Sequence, residues 1–100
     1  MSLYLEIYTI KDSKAEAYLK PFFMMNEATA VRAITDLVSD IDHEFGRHPE
    51  DYSLWYLGRY CEVTGTILSN LDDRKHVCNL IDLKTPFVTY SEKEEMLDAV

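Results

Sequence analysis

Asn26-Glu27-Ala28-Thr29-Ala30-Val31-Arg32-Ala33-Ile34-Thr35-Asp36-Leu37-Val38-Ser39-Asp40-Ile41 reads as an amphipathic helix. Ala30, Val31, Ile34, Leu37, Val38 and Ile41 recur at spacings of three and four, which lays one apolar stripe along the helix. Arg32, Asp36, Ser39 and Asp40 fall on the opposite, polar side. Asn26 is a good N-cap, because its side-chain oxygen can accept an early backbone N–H, and Glu27 suits the positive end of the helix dipole. The helix is expected to end between Asp40 and Phe45, ahead of Gly46 and the Pro49 boundary.

A helix with one apolar stripe needs a sheet to cover, and the flanking sequence supplies strands. Leu3 to Ile10 has the length and composition of one strand. Leu3, Leu5 and Ile7 share one face, and Tyr4, Glu6 and Tyr8 the other. The charge of Glu6 marks the Tyr face as outward, so the Leu/Ile face is expected to look into the core. Asp12 to Lys20 reads as a loop or an irregular helical turn, and Pro21 then delivers Phe22 and Phe23 on a stiff, extended linker. Downstream, His48-Pro49-Glu50-Asp51 is turn chemistry leading into a strand from Tyr52 to Glu62. Gly58 inside that strand points to a bulge or a close approach. Val63-Thr64-Gly65-Thr66 supplies a tight hairpin turn, and Thr66-Ile67-Leu68 returns as a third strand. Asn70 to Lys75 is turn-like. Val77 to Leu83 is apolar enough to be buried, but pattern alone does not separate strand from helix there. Ser91-Glu92-Lys93-Glu94 carries a capping-box signature for a short helix reaching Val100.

The order predicts an α+β fold: a small, largely antiparallel β-α-β-β sheet with a possible fourth strand, covered on one face by one amphipathic helix. Residues 1–83 form the expected single domain and residues 84–100 a C-terminal extension. Such a sheet leaves its second face to manage, and Tyr4, Tyr8, Trp55 and Tyr60 are the residues expected on that uncovered face or at a dimer contact. A one-residue error in register would reverse that assignment.

At 100 residues with 47% hydrophobic residues, the chain has the composition of one globular domain. Its net charge is −8, unevenly spread. Residues 1–25 balance, with Lys11, Lys14 and Lys20 against Glu6, Asp12 and Glu16, whereas residues 26–58 set two Arg against seven acids. On average this surface repels phosphates, which argues against a general DNA coat. Cys61 and Cys78 are too few for a disulfide scaffold and lack zinc-site spacing, so small buried hydrophobes are expected. No stretch approaches the length of a membrane span, and the start lacks a basic leader.

Lys11-Asp12-Ser13-Lys14-Ala15, Pro21-Phe22-Phe23, His48-Pro49-Glu50-Asp51-Tyr52, Leu57-Gly58 and Thr64-Gly65 occur in this order. Together they resemble the small non-structural protein of gokushovirus-type microviruses, which are single-stranded-DNA phages, over roughly residues 3–83. Members of that family often finish soon after the segment matching Ile81-Asp82-Leu83, so residues 84–100 have no family reading. The resemblance implies an accessory protein of genome replication or packaging, working in the cytoplasm of an infected bacterium, with DNA binding attached to the role.

Two functions from different classes follow. One is a module that binds single-stranded DNA or the replication complex through Lys11, Lys14, Tyr18, Lys20, Phe22 and Phe23, because aromatic faces beside basic groups grip single strands. The competing reading of the two Phe rings is that they anchor the loop onto the core. The other function is an acidic protein-interaction module acting on a phage or host protein without direct DNA binding. A homodimer is expected in either case, to cover an exposed strand edge and the surplus Tyr. No metal, cofactor or enzymatic chemistry is expected. His43 and His48 are five residues apart and miss the four-residue helical spacing of a metal pair. The acids lie on solvated helix ends, and no nucleophile or phosphate-loop motif is present.

Overall fold

The computed structural model describes residues 3–69 and 74–84. Its centre is a pair of long antiparallel strands, β1 (Tyr4–Asp12) and β4 (Tyr52–Cys61). Four short strands complete a six-stranded, antiparallel open sheet. β2 (Ala17–Tyr18) and β3 (Phe22–Met24) pair with the outer side of β1, and β5 (Thr66–Leu68) and β6 (Lys75–Asn79) with the outer side of β4. Helix α1 (Glu27–Val38) lies on one face, followed by the single turn α2 (Glu44–Arg47) and a 3-10 turn, Pro49–Asp51. A second 3-10 turn, Leu80–Leu83, follows β6. The fold is the expected α+β arrangement of one main helix on a largely antiparallel sheet.

Helix α1 begins where its cap dictates. Asn26 Oδ1 accepts from the Thr29 backbone N–H at 2.8 Å, satisfying one of the orphan donors of the first turn. Ala30, Ile34 and Val38 are buried, with Val31 and Leu37 packed beside them. They meet Tyr8, Ile10, Tyr52, Leu54, Phe45 and Leu80 in a single core. Ile41 does not join: the helix stops at Val38, and Ile41 is 69% exposed. The early stop lets α2 fold back so closely that a Cβ on Gly46 would lie 1.9 Å from the Asp40 carbonyl oxygen.

Two expectations are corrected. The reading of Asp12 to Lys20 as a loop or irregular turn holds for the turn at residues 13–16 but not for Ala17–Tyr18, which form β2 with Tyr18 opposite Lys11. Phe22 and Phe23 belong to β3 rather than to a linker, with Phe23 opposite Ile7 and Phe22 opposite Tyr8. The face assignment of β1 is also reversed. Tyr8 is 2% exposed and belongs to the core under α1, and Tyr4 shares its side of the strand by alternation. Leu5, Ile7 and Thr9 therefore look the other way. Glu6 tolerates the covered side because it is paired: Tyr56 Oη donates to Oε2 at 2.8 Å and Arg59 Nη2 to Oε1 at 2.9 Å. A charge at the rim of a covered face is tolerable once its hydrogen bonds are satisfied.

Register shifts then fix the second face. Ile7 pairs with Gly58 and Tyr8 with Tyr56, so Leu57 is an extra residue in β4. Gly58 sits at φ +149°, and a Cβ there would meet the Leu68 carbonyl oxygen at 2.5 Å. Below the bulge Tyr52, Leu54 and Tyr56 face α1; above it Arg59 and Cys61 do, opposite Glu6 and Tyr4. Trp55 and Tyr60, an odd and an even position, therefore emerge on the same open face. Among the described residues no helix is long and apolar enough to cross a membrane. The reading of Ser91 to Val100 as a helix lies outside the described residues.

Candidate nucleic-acid interface

The face of the sheet away from α1 is covered by no described element. Its residues follow from the register: Leu5, Ile7, Thr9 and Lys11 from β1, Ser53, Trp55 and Tyr60 from β4, Tyr18, Phe23, Ile67 and His76 from the short strands. No carboxylate stands at any of these positions. In a chain of net charge −8 that is a marked local departure.

At one end of the face, Tyr18 and Trp55 meet edge to face, with ring centroids 6.2 Å apart. The Trp55 ring also meets His76 at 5.3 Å. The indole is oriented by its own N–H, which donates to Ser53 Oγ at 2.9 Å. His76 is held in turn by Asn79, whose Oδ1 lies 2.9 Å from its Nε2. Two cations sit over these rings. The Arg74 guanidinium is 5.4 Å from the Tyr18 ring centre and 5.6 Å from that of Trp55, and Lys11 Nζ is 5.7 Å from Tyr18. These distances fall within the range of cation–π attraction. Between the rings Thr9 is wholly buried, and its hydroxyl donates to the Leu19 carbonyl at 2.7 Å. A recess of about 290 Å³ opens here, lined by Thr9, Tyr18, Leu19, Pro21, Leu57 and Arg74.

Toward the other end, Phe23 and Tyr60 form a second edge-to-face pair at 5.8 Å. Phe22 takes the opposite side of β3: it stacks on Tyr8 at 6.1 Å and packs against the core, whereas Phe23 stays 46% exposed. Strand alternation thus divides the Phe pair between an anchor and a surface ring. Of the basic residues singled out in the sequence, only Lys11 reaches the Tyr18 ring. Lys14 lies in the turn that Asp12 closes by accepting from the Lys14 and Ala15 backbone N–H groups, and Lys20 borders an apolar recess beside Leu19, Phe22 and Leu37 on the helix side. Arg74 and His76 were missed. Arg74 sits in a polar run and His76 has no chemical neighbour in sequence, so only strand pairing reveals them.

Other polar features are accounted for structurally. A larger cleft of about 520 Å³ lies between β5 and β6, but Arg59 and Tyr56 on its wall are already engaged by Glu6. The shared proximity raises the Arg59 pKa, chiefly through the hydrogen bond to Glu6, and Tyr56 is raised first by burial and then by the same carboxylate. His43 Nδ1 accepts from the Phe45 backbone N–H at 3.0 Å and so caps α2. His48, Glu50 and Asp51 bring their ligand atoms within 4.8 Å of one another on the surface turn, with His48 and Glu50 exposed. Cys61 and Cys78 are free thiols; a hydrogen bond from the Thr64 side chain lowers the first, and burial pushes up the second.

A family model described as Phage ORF5 protein matches residues 5–83. No curated protein and no solved structure matches the chain. Since that match spans most of its length, the chain belongs to the Phage ORF5 protein family.

Proposed function

We propose that this member of the Phage ORF5 protein family binds single-stranded DNA on the open face of its sheet, as a non-structural accessory protein of genome replication or packaging. The narrower placement among gokushovirus-type microviruses rests on the residues from Lys11 to Phe23, His48 to Tyr52, Leu57-Gly58 and Thr64-Gly65. In this reading the protein is a binder, not an enzyme, uses no cofactor, and works in the cytoplasm of the infected bacterium.

The observation that carries the reading is Arg74 poised over both Tyr18 and Trp55, beside Lys11, on a face with no acid at its paired positions. Aromatic rings offer stacking surfaces that any base can use, and cations beside them meet the phosphates. Seven acids, from Glu27 to Asp51, lie on and between α1, α2 and the Pro49–Asp51 turn. The overall negative field weakens binding, and the local positive one selects where it occurs.

Trp55 is the only tryptophan, so its fluorescence reports on this face alone. Adding oligo-deoxythymidine at low ionic strength should quench it. Two phosphate contacts, through Lys11 and Arg74, should give a slope of about −1.4 in log affinity against log salt. Arg74→Ala should weaken binding without unfolding the chain, since the side chain is exposed. An unchanged Trp55 signal at the lowest salt removes the DNA reading. It would leave the protein-interaction reading, which is favoured by the exposure of Leu3, Val63, Ile67 and Leu68 at the far end of the sheet.

A further inference from the structure

The two ring pairs on the open face have the same construction. In each, an aromatic residue on a short edge strand reaches diagonally across β1 to an aromatic residue on β4. Tyr18, opposite Lys11, meets Trp55, opposite Thr9; Phe23, opposite Ile7, meets Tyr60, opposite Leu5. Both pairs are close to perpendicular, at 83° and 77°, with similar centroid separations of 6.2 and 5.8 Å. The second pair is the first translated by four residues along β1, about 13 Å at the rise of an antiparallel strand. Ile7 and Thr9, buried between them, make the floor continuous.

We infer that these pairs are two stacking stations for one single strand, with the phosphates entering at the Lys11 and Arg74 end. This deepens the single-stranded-DNA reading and rests on it. Stations about 13 Å apart are too far for neighbouring stacked bases, which are about 3.4 Å apart along one strand. The bases on Tyr18/Trp55 and on Phe23/Tyr60 are therefore not adjacent, and a stacked strand must be about five nucleotides or longer to occupy both, near the short end of single-strand sites. The stations also differ in chemistry. Cations flank the first, whereas exposed Leu3 and Ile67 border the second. The first station should carry the salt dependence, and the second should add stacking without adding to it.

The test is a length series of oligo-deoxythymidines, from two to about ten nucleotides, followed by Trp55 fluorescence at low salt. Affinity should step up by about five-fold or more once the oligomer spans both stations, in keeping with the effect of one stacked base. Phe23→Ala should abolish the step, so that long and short oligomers bind with similar affinity. Phe23→Leu keeps the apolar volume and reads the same loss should the alanine variant fold poorly. A dinucleotide that binds as tightly as an octamer, or a step that survives both Phe23 variants, overturns the two-station arrangement and leaves the DNA reading in place. Absence of quenching at every length overturns both.

Discussion

Tyr8 puts a phenol where packing alone would accept a bare ring. It is 2% exposed, stacked on Phe22 and edge-on to Tyr56, and its pKa is pushed up to about 12. Burial is the main cause, followed by the negative charges of Glu27 and Glu6. In the unfolded chain the same group ionises near 10. The folded state thus holds the proton more tightly. The stability linked to it is complete below about pH 10 and is lost as pH rises through about 12. Tyr52 and Tyr56 are raised in the same direction by burial and add to the loss. Tyr8→Phe should leave the urea midpoint near neutrality almost unchanged and lessen its fall between about pH 10 and about pH 12. An equal fall in both proteins would show that Tyr8 is not the group responsible. The same residue explains a misreading of β1: Glu6 looked like the mark of a solvated face, yet Arg59 and Tyr56 satisfy it from the neighbouring strand.

At the scale of the element, the bulge in β4 governs the open face. Simple alternation puts Trp55 and Tyr60 on opposite faces, because they are five positions apart, an odd number. One extra residue at Leu57 restores them to one side, and Gly58 at φ +149° makes it possible. A side chain at Gly58 would be strained by that φ and would collide with the Leu68 carbonyl and the Ser69 Cβ at 2.5 and 2.8 Å. Gly58→Ala should therefore cost about 3 kcal/mol, at the upper end for a strained backbone position, with the urea midpoint as the measure. A change under about 0.5 kcal/mol, the scale of an ordinary surface substitution, would contradict the bulge geometry. Because the bulge also sets the Tyr60 station, the surviving fold should lose the length step more than the short-oligomer affinity. Gly58 was legible as a bulge in the sequence, but the parity change it imposes on Tyr60 was not, since it depends on which residue of β1 pairs where. The short strands β2 and β3 were hidden for a similar reason. Two- and three-residue segments carry no periodicity of their own, and they exist because β1 offers them an unpaired side.

For the whole molecule, the two ends of the sheet differ. The seven acids from Glu27 to Asp51 lie on and between the helices and the Pro49–Asp51 turn, Lys11 and Arg74 stand over rings of the open face, and a group of exposed apolar side chains lies at the β5 end. β5 carries no charge in Thr66–Leu68 and is exposed throughout, so among the described residues nothing charged or packed guards that edge. We expect a homodimer through this end, a two-fold arrangement being the common solution for such an edge. Sedimentation should find a dimer at tens of micromolar, about the range in which weak interfaces populate, and Ile67→Lys should shift it to monomer. A wild-type monomer at that concentration counts against the dimer and leaves the proposal for the open face at Trp55 as it stands.

The α1 helix, its Asn26 cap, the β4 strand with its flexible Gly58 and the α+β class could all be read from residue order, because each depends on local periodicity or on the conformational preference of one residue. The side of β1 on which Tyr8 lies, the division of Phe22 from Phe23, and the meeting of Lys11, Tyr18, Trp55, Arg74 and His76 were decided only when strands paired. Register is a relation between distant segments, and a shift of one residue turns every side chain to the opposite face.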